Sequence, residues 1–203
     1  CMPEDEFAML EKYPSMSGEF VWTGFDYLGE PTPYNKDLTN LLNFSDPKDR
    51  EKAKKELEAL GKIKSPSRSS YFGIVDLCGF PKDRYYNYKS YWRPDVPTVH
   101  ILPHWNWEER IGEITPVHIY TSGDAVELFL NGKSLGRREK AHSYDRLTWD
   151  DVRYEPGSLK AIAYKNGQKW AEELVETTGK PAALQVTAEK TELKNDGTDL
   201  SFI

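Results

Sequence analysis

Cysteine is nearly absent from this chain, with two among 203 residues, Cys1 and Cys78. Two thiols so far apart give no disulfide framework and no metal-type spacing. Histidine is scarce as well, and four well-separated residues do not make a zinc set. No apolar run approaches the ~18–20 residues that a helix needs to cross a bilayer. A basic surplus is missing too: 27 Lys and Arg face 33 Asp and Glu, for a net charge of -6. The basic residues are scattered, which excludes the electrostatic footprint of a nucleic-acid partner. There is no Gly-x-Ser-x-Gly elbow, no phosphate loop, no Cys/His pair and no His-x-x-x-His ligand set, so no motif assembles a nucleophile.

What the chain does have is rings. It holds 6 Trp, 12 Tyr and 8 Phe, and they crowd into residues 18–34 and 71–107. At 38% hydrophobic and 30% charged residues, the composition is that of a globular protein with a core, in one or two domains. The chain opens Cys-Met-Pro before a helical pattern and stops at Asp199–Ile203 in mid-alternation. Both ends look cut, and an internal piece of a longer protein is expected.

Residues 18–34 are the most informative stretch. Phe20-Val21-Trp22, closed by Gly24, has the composition of a buried strand over about 18–25. Phe25-Asp26-Tyr27 then sets a carboxylate between two rings. Leu28-Gly29-Glu30-Pro31-Thr32-Pro33 is turn-rich and cannot continue a ladder. A strand ending in polar and aromatic residues before a long loop reads as the edge of a binding site, as at the C-terminal strand ends of parallel barrels. Two readings of Asp26 stay open: paired with Glu30 it serves acid–base chemistry on a glycosidic bond, or alone it orders the loop by accepting backbone N–H groups. Trp22 has two as well. It is a flat platform for sugar C–H faces, with Asp26 and Tyr27 beside it, or it is a core residue.

Around that stretch the spacing predicts an amphipathic helix over 3–13, with Pro first and acidic residues in its first turn. A charged surface helix is predicted over 47–60, capped by Asp46 and stopped by Gly61. A further helix over 81–92 carries Tyr85, Tyr88 and Trp92 at core spacing. Beyond Pro97 the period becomes two, with strands at 98–102, 114–121, 125–130, 133–139, 145–152, 158–165 and 168–176. Asn131-Gly132 and Asn166-Gly167 are two-residue hairpin loops. Seven short strands in about 80 residues predict a sandwich of immunoglobulin size, without the Cys…Trp…Cys core. Residues 183–189 alternate again and Asn195-Asp196-Gly197 is hairpin-like, which points to the start of a further β-domain.

Gly18-Glu-Phe-Val-Trp-Thr-Gly-Phe-Asp-Tyr-Leu-Gly-Glu-Pro-Thr-Pro-Tyr34 resembles the eighth-strand segment of family 2 glycoside hydrolases of the β-galactosidase type. Ser67-Arg-Ser-Ser-Tyr-Phe-Gly-Ile-Val-Asp-Leu-Cys-Gly-Phe-Pro-Lys-Asp83 resembles the close of the same barrel. His100-Ile-Leu-Pro-His-Trp-Asn-Trp107 and Val126-Glu-Leu-Phe-Leu-Asn-Gly-Lys-Ser-Leu-Gly136 are similar to the immunoglobulin-like domain that follows it. Gly179–Ala182 and Asp199–Phe202 are similar to the entry into the next sandwich.

The resemblance implies α/β plus all-β architecture: residues 1–93 as the last quarter of a (β/α)8 barrel, 94–178 as the sandwich, and 179–203 as linker and unfinished β-domain. It implies a retaining enzyme acting on terminal β-galactosides, with no cofactor. The two catalytic glutamates would lie upstream of Cys1, so no catalytic residue is expected here and the isolated chain should be inactive. Trp22 would stand at the galactose site with Asp26 and Tyr27, and Trp105 either reaches the aglycone side or packs the sandwich onto the barrel. The implied partners are a β-galactoside and the rest of the parent chain; a periplasmic or secreted address follows only by analogy. The rival readings are a non-catalytic β-sandwich module and a parent enzyme acting on a β-glucuronide or β-mannoside.

Overall fold

The computed structural model describes residues 2–28, 46–60 and 69–201, with backbone only at 56–60. Three helices form where charge and proline predicted them. Helix α1 (Pro3–Lys12) has Pro in its first turn with Glu4, Asp5 and Glu6, where the positive end of the helix dipole favours carboxylates. Helix α2 (Pro47–Leu60) starts after Asp46, whose Oδ1 accepts the Lys48 N–H at 2.7 Å. Helix α3 (Asp83–Trp92) buries Asn87, Tyr88 and Ser90. Of the expected stripe only Tyr88 is core; Trp92 stays half exposed. The rings of α3 meet α1 instead: Phe7 lies edge-on to Tyr88 and stacks on Tyr91 at 4.1 Å.

Seven strands follow: β1 (Val99–Leu102), β2 (Val117–Thr121), β3 (Ala125–Leu130), β4 (Lys133–Glu139), β5 (Leu147–Trp149), β6 (Ser158–Lys165) and β7 (Gln168–Glu176). They form two antiparallel sheets, ordered β1-β2-β5 and β4-β3-β6-β7. Ile101, Val117, Ile119, Leu147 and Trp149 of the first sheet share one core with Val126, Leu128, Leu159, Ala161 and Ala163 of the second. That shared core makes the unit a β-sandwich. Both Asn-Gly loops adopt positive φ at each residue (Asn131 50°, Gly132 80°; Asn166 51°, Gly167 77°), as a type I′ hairpin requires.

β2 and β5 are shorter than expected. Ile114 keeps only an isolated bridge to Arg153, outside the ladder. β2 is also buried at all five positions, so alternation fails there. The cause is α3, which packs on β1 and β2 and covers the sheet's outer face. β4 is the opposite case: an exposed edge carrying Lys133, Arg137 and Arg138, charges that discourage pairing with another chain.

One charged cluster ties α3 to both sheets. His100 of β1 stacks on Tyr86 of α3 at 3.8 Å between ring centres. Its Nε2 lies 2.8 Å from Asp83 Oδ1 and its Nδ1 3.2 Å from Glu173 Oε1 of β7. The second oxygen of Glu173 accepts the Ile101 N–H. Burial pulls the imidazole pKa down, but the two carboxylates overcome it and set it at about 9.

Two expectations are corrected. Residues 18–25 form no buried strand: Phe20 is fully exposed, at 105%, and among the described residues the segment pairs only at its end, through a parallel bridge from Phe25 to Val75 and the backbone bonds beside it. A strand buries only where neighbours cover its faces and pair its backbone, and among the described residues this segment has one short neighbour on one side. Residues 183–189 likewise belong to no strand or ladder, with Leu184 98% exposed. The Asn195-Asp196-Gly197 turn does form, with Asp196 Oδ1 accepting the Thr198 and Asp199 N–H groups. The loop after Leu28, with Glu30, and the stop at Gly61 lie outside the described residues.

Candidate functional site

The segment after Trp22 is held against residues 69–82 by backbone bonds. Ile74 N–H donates to Thr23 O at 3.0 Å, Val75 N–H to Gly24 O at 2.9 Å, and Asp26 N–H to Val75 O at 2.9 Å. Ser70 closes the far end: its N–H donates to Tyr27 O and its Oγ accepts the Tyr27 N–H at 3.0 Å. The Leu28–Ser69 bridge continues the contact.

Asp26 lies under this seam with its side chain 5% exposed. One carboxylate oxygen accepts the Gly73 N–H at 2.8 Å, and the other pairs with Lys82 Nζ. Gly73 is required there. A Cβ would stand 2.2 Å from the Asp26 nitrogen and 2.4 Å from the Phe25 carbonyl carbon. The reading of Asp26 as the residue that orders the loop therefore describes what its carboxylate does. Its partner in the acid–base reading, Glu30, is outside the described residues.

Trp22 stands above the seam, 72% exposed, edge-on to Tyr27 with ring centres 6.4 Å apart. Tyr27 is in turn edge-on to Phe72 at 5.8 Å. The indole thus stays largely open to solvent while the Tyr27 ring braces it from one side. Glu19, from the same stretch, sits beside Glu6 of α1, and its carboxyl pKa is raised by burial first and by that neighbouring charge second.

Three of the four expected site residues come together in this way, and the fourth does not. Trp105 is 0% exposed in the sandwich core, edge-on to Tyr154, with its indole N–H donated to Glu155 O at 3.0 Å. No face of that ring is open to a ligand, so the aglycone contact is dropped; the ring is a packing residue, but of the sandwich's own core rather than of its seat on the barrel. Among the described residues no three His, Cys, Asp or Glu side chains gather as a metal set. No described helix is long and apolar enough to cross a membrane.

Over 200 residues the chain is 40% identical to the β-galactosidase BoGH2A of Bacteroides ovatus, matching 98% of this chain and 20% of that protein. A putative β-glucuronidase of Formosa agariphila is 33% identical over 96% of this chain and 16% of its own length. A glycosyl hydrolase family 2 member from Bacteroides cellulosilyticus superposes with a TM-score of 0.72 at 28% identity, over 98% of this chain and 26% of that one. The relatives are family 2 glycoside hydrolases. The chain spans about a fifth of the length of these family 2 proteins. A domain of unknown function, DUF4982, matches residues 112–171, which cover most of the sandwich.

Sequence reasoning missed Gly73, Ser70 and Lys82. Gly73 had a signal: a lone glycine inside an apolar run marks close approach of another backbone. Lys82 had none, because Pro81-Lys82-Asp83 reads as the start of a helix and nothing local shows that its ammonium turns to Asp26.

Proposed function

We propose that this chain is the closing part of the catalytic barrel, with the immunoglobulin-like sandwich that follows it, of a retaining family 2 enzyme acting on terminal β-galactosides. Residues 1–93 belong to the barrel, 94–178 to the sandwich and 179–203 to the entry into a further β-domain. The galactoside assignment draws support from the 40% identity to a β-galactosidase across nearly the whole chain. The observation that carries the site is the braced, open indole of Trp22.

In this reading the chain supplies a wall of the sugar site, and the two carboxylates of the retaining mechanism, ~5–5.5 Å apart in such enzymes, belong to the rest of the longer protein. The pyranose lays its C–H patch on the indole while its hydroxyls take hydrogen bonds elsewhere. As the ring flattens toward the oxocarbenium-like transition state, a face held at a fixed angle binds it better than the ground state, which lowers the barrier. Hydrolysis by this route uses carboxylates and water, with no cofactor.

In the longer protein, Trp22→Ala should lower kcat/KM on a chromogenic β-galactoside by about 10- to 100-fold. Unchanged kinetics would remove Trp22 from the site. The isolated 203 residues should show no turnover, and turnover would mean that the catalytic groups lie within this chain. A second reading, a β-glucuronide as substrate, is favoured by the relatives named β-glucuronidase. Side-by-side rates of the longer protein on the two chromogenic glycosides decide between them.

A further inference from the structure

We propose that Lys82 is a positioning residue for Trp22, acting through the Asp26 carboxylate. The inference rests on the sugar-site reading of Trp22 and adds to it the groups that set the angle of the indole.

Lys82 is sixty positions along the chain from Trp22, yet it is anchored to the same seam three times. Its N–H donates to Ile74 O at 3.0 Å. Its Nζ donates to Tyr71 O at 3.1 Å and pairs with Asp26 Oδ2. The ammonium therefore joins the 71–75 segment to the 23–28 segment. Asp26 completes the tie by accepting the Gly73 N–H.

A carboxylate so withdrawn from water is held in place only while its charge and its lone pairs are met. Lys82 meets the charge and Gly73 meets a lone pair. Gly73 also leaves no slack, since the backbones already touch where a Cβ would go. Residues 23–27 then have one seating on the 71–75 segment. Trp22 precedes that seating directly and leans on Tyr27 at its end. Releasing Lys82 frees Asp26 to turn toward water, and the Phe25–Tyr27 backbone follows. The brace under the indole is lost while the indole itself is untouched.

The test has one readout that needs no activity. In the 203-residue chain, the indole N–H resonance of Trp22, assigned through Trp22→Phe, should shift in Lys82→Met and hold its place in Lys82→Arg, which keeps the charge. In the longer protein, Lys82→Met should lower kcat/KM on a chromogenic β-galactoside about tenfold or more, while Lys82→Arg stays within about threefold of the parent. An indole resonance that stays in place in Lys82→Met overturns the positioning role, whatever the kinetics. A shifted resonance with a kinetically silent Trp22→Ala keeps the positioning role and removes the sugar contact, so the two failures are told apart. If Lys82→Met does not fold, Lys82→Gln, which keeps a polar head but leaves the Asp26 charge unmet, takes its place. Its indole resonance must shift as well, and an unshifted one again overturns the role.

Discussion

Trp149 and Trp22 belong to one chain and lie 2% and 72% exposed. Trp149 is on a strand of only three residues, yet two sheets close over it and its indole N–H reaches Leu135 O. Trp22 stands in an unbroken apolar run, Phe20-Val21-Trp22, and nothing among the described residues closes over it. Apolar composition is equal to the task in both places. The difference is whether the chain returns often enough to cover both faces and pair both edges. Between residues 99 and 176 it returns seven times, and between 18 and 28 it meets one neighbour through a few bridges. Exposed rings along a sparsely paired segment and buried rings in a closed sandwich thus follow from strand count rather than from hydrophobicity.

The largest effect should come from cutting one side of that contrast. Leu128→Ala, in the shared core, should cost about 2–5 kcal/mol in denaturant melts. Phe20→Ser, at a fully exposed ring, should change stability by less than about 0.5 kcal/mol. Comparable losses in the two variants would mean that the 18–28 segment is buried in solution and that the contrast is false.

The sandwich was the legible half. Alternation gave its strands and the Asn-Gly loops gave two hairpins with the right backbone signs, because both signals are local. β2 escaped alternation because α3, far from it in register, covers its outer face. Of the site, Trp22, Asp26 and Tyr27 were legible as chemistry in a cluster, but burial of the strand was expected where exposure is found. The Asp26–Lys82 pair was hidden because an ion pair across 56 positions leaves no spacing to read. Trp105 was left between an aglycone contact and a packing role, because its neighbours in the chain show neither, and the fold places it inside.

A middle-sized effect belongs to the cluster that ties α3 to both sheets. His100 has its pKa raised from 6.5 to about 9, so the folded state binds its proton more tightly than the unfolded chain does. That stability is complete below pH 6.5 and is lost as pH rises through 9, at most about 3 kcal/mol in all. Lys140 works the other way. Burial lowers its pKa from 10.5 to about 8 against the pull of Asp145 and Asp124, so stability returns as pH rises from 8 to 10.5. Melting points of the chain should therefore fall between pH 6.5 and 8 and level off above 8. In His100→Gln the fall should vanish and the rise above 8 remain. A fall of the same size in His100→Gln would assign the titration to another group and break the link between α3 and the two sheets.

The smallest effect tests how far the sandwich depends on its own turns rather than on neighbours. Gly132 sits at φ 80° with open space where a Cβ would go, so its backbone angle is the only obstacle to a side chain. Gly132→Ala should cost about 1 kcal/mol, the penalty of a left-handed residue with a Cβ. Gly123 has ordinary φ, but a Cβ there would stand 2.5 Å from Tyr164 O, where the β2–β3 turn crosses the end of β6. Gly123→Ala must move backbone and should cost more than Gly132→Ala in the same melt. If the order is reversed, the turn between the sheets yields more readily than the hairpin, and the sandwich is held together by its core alone.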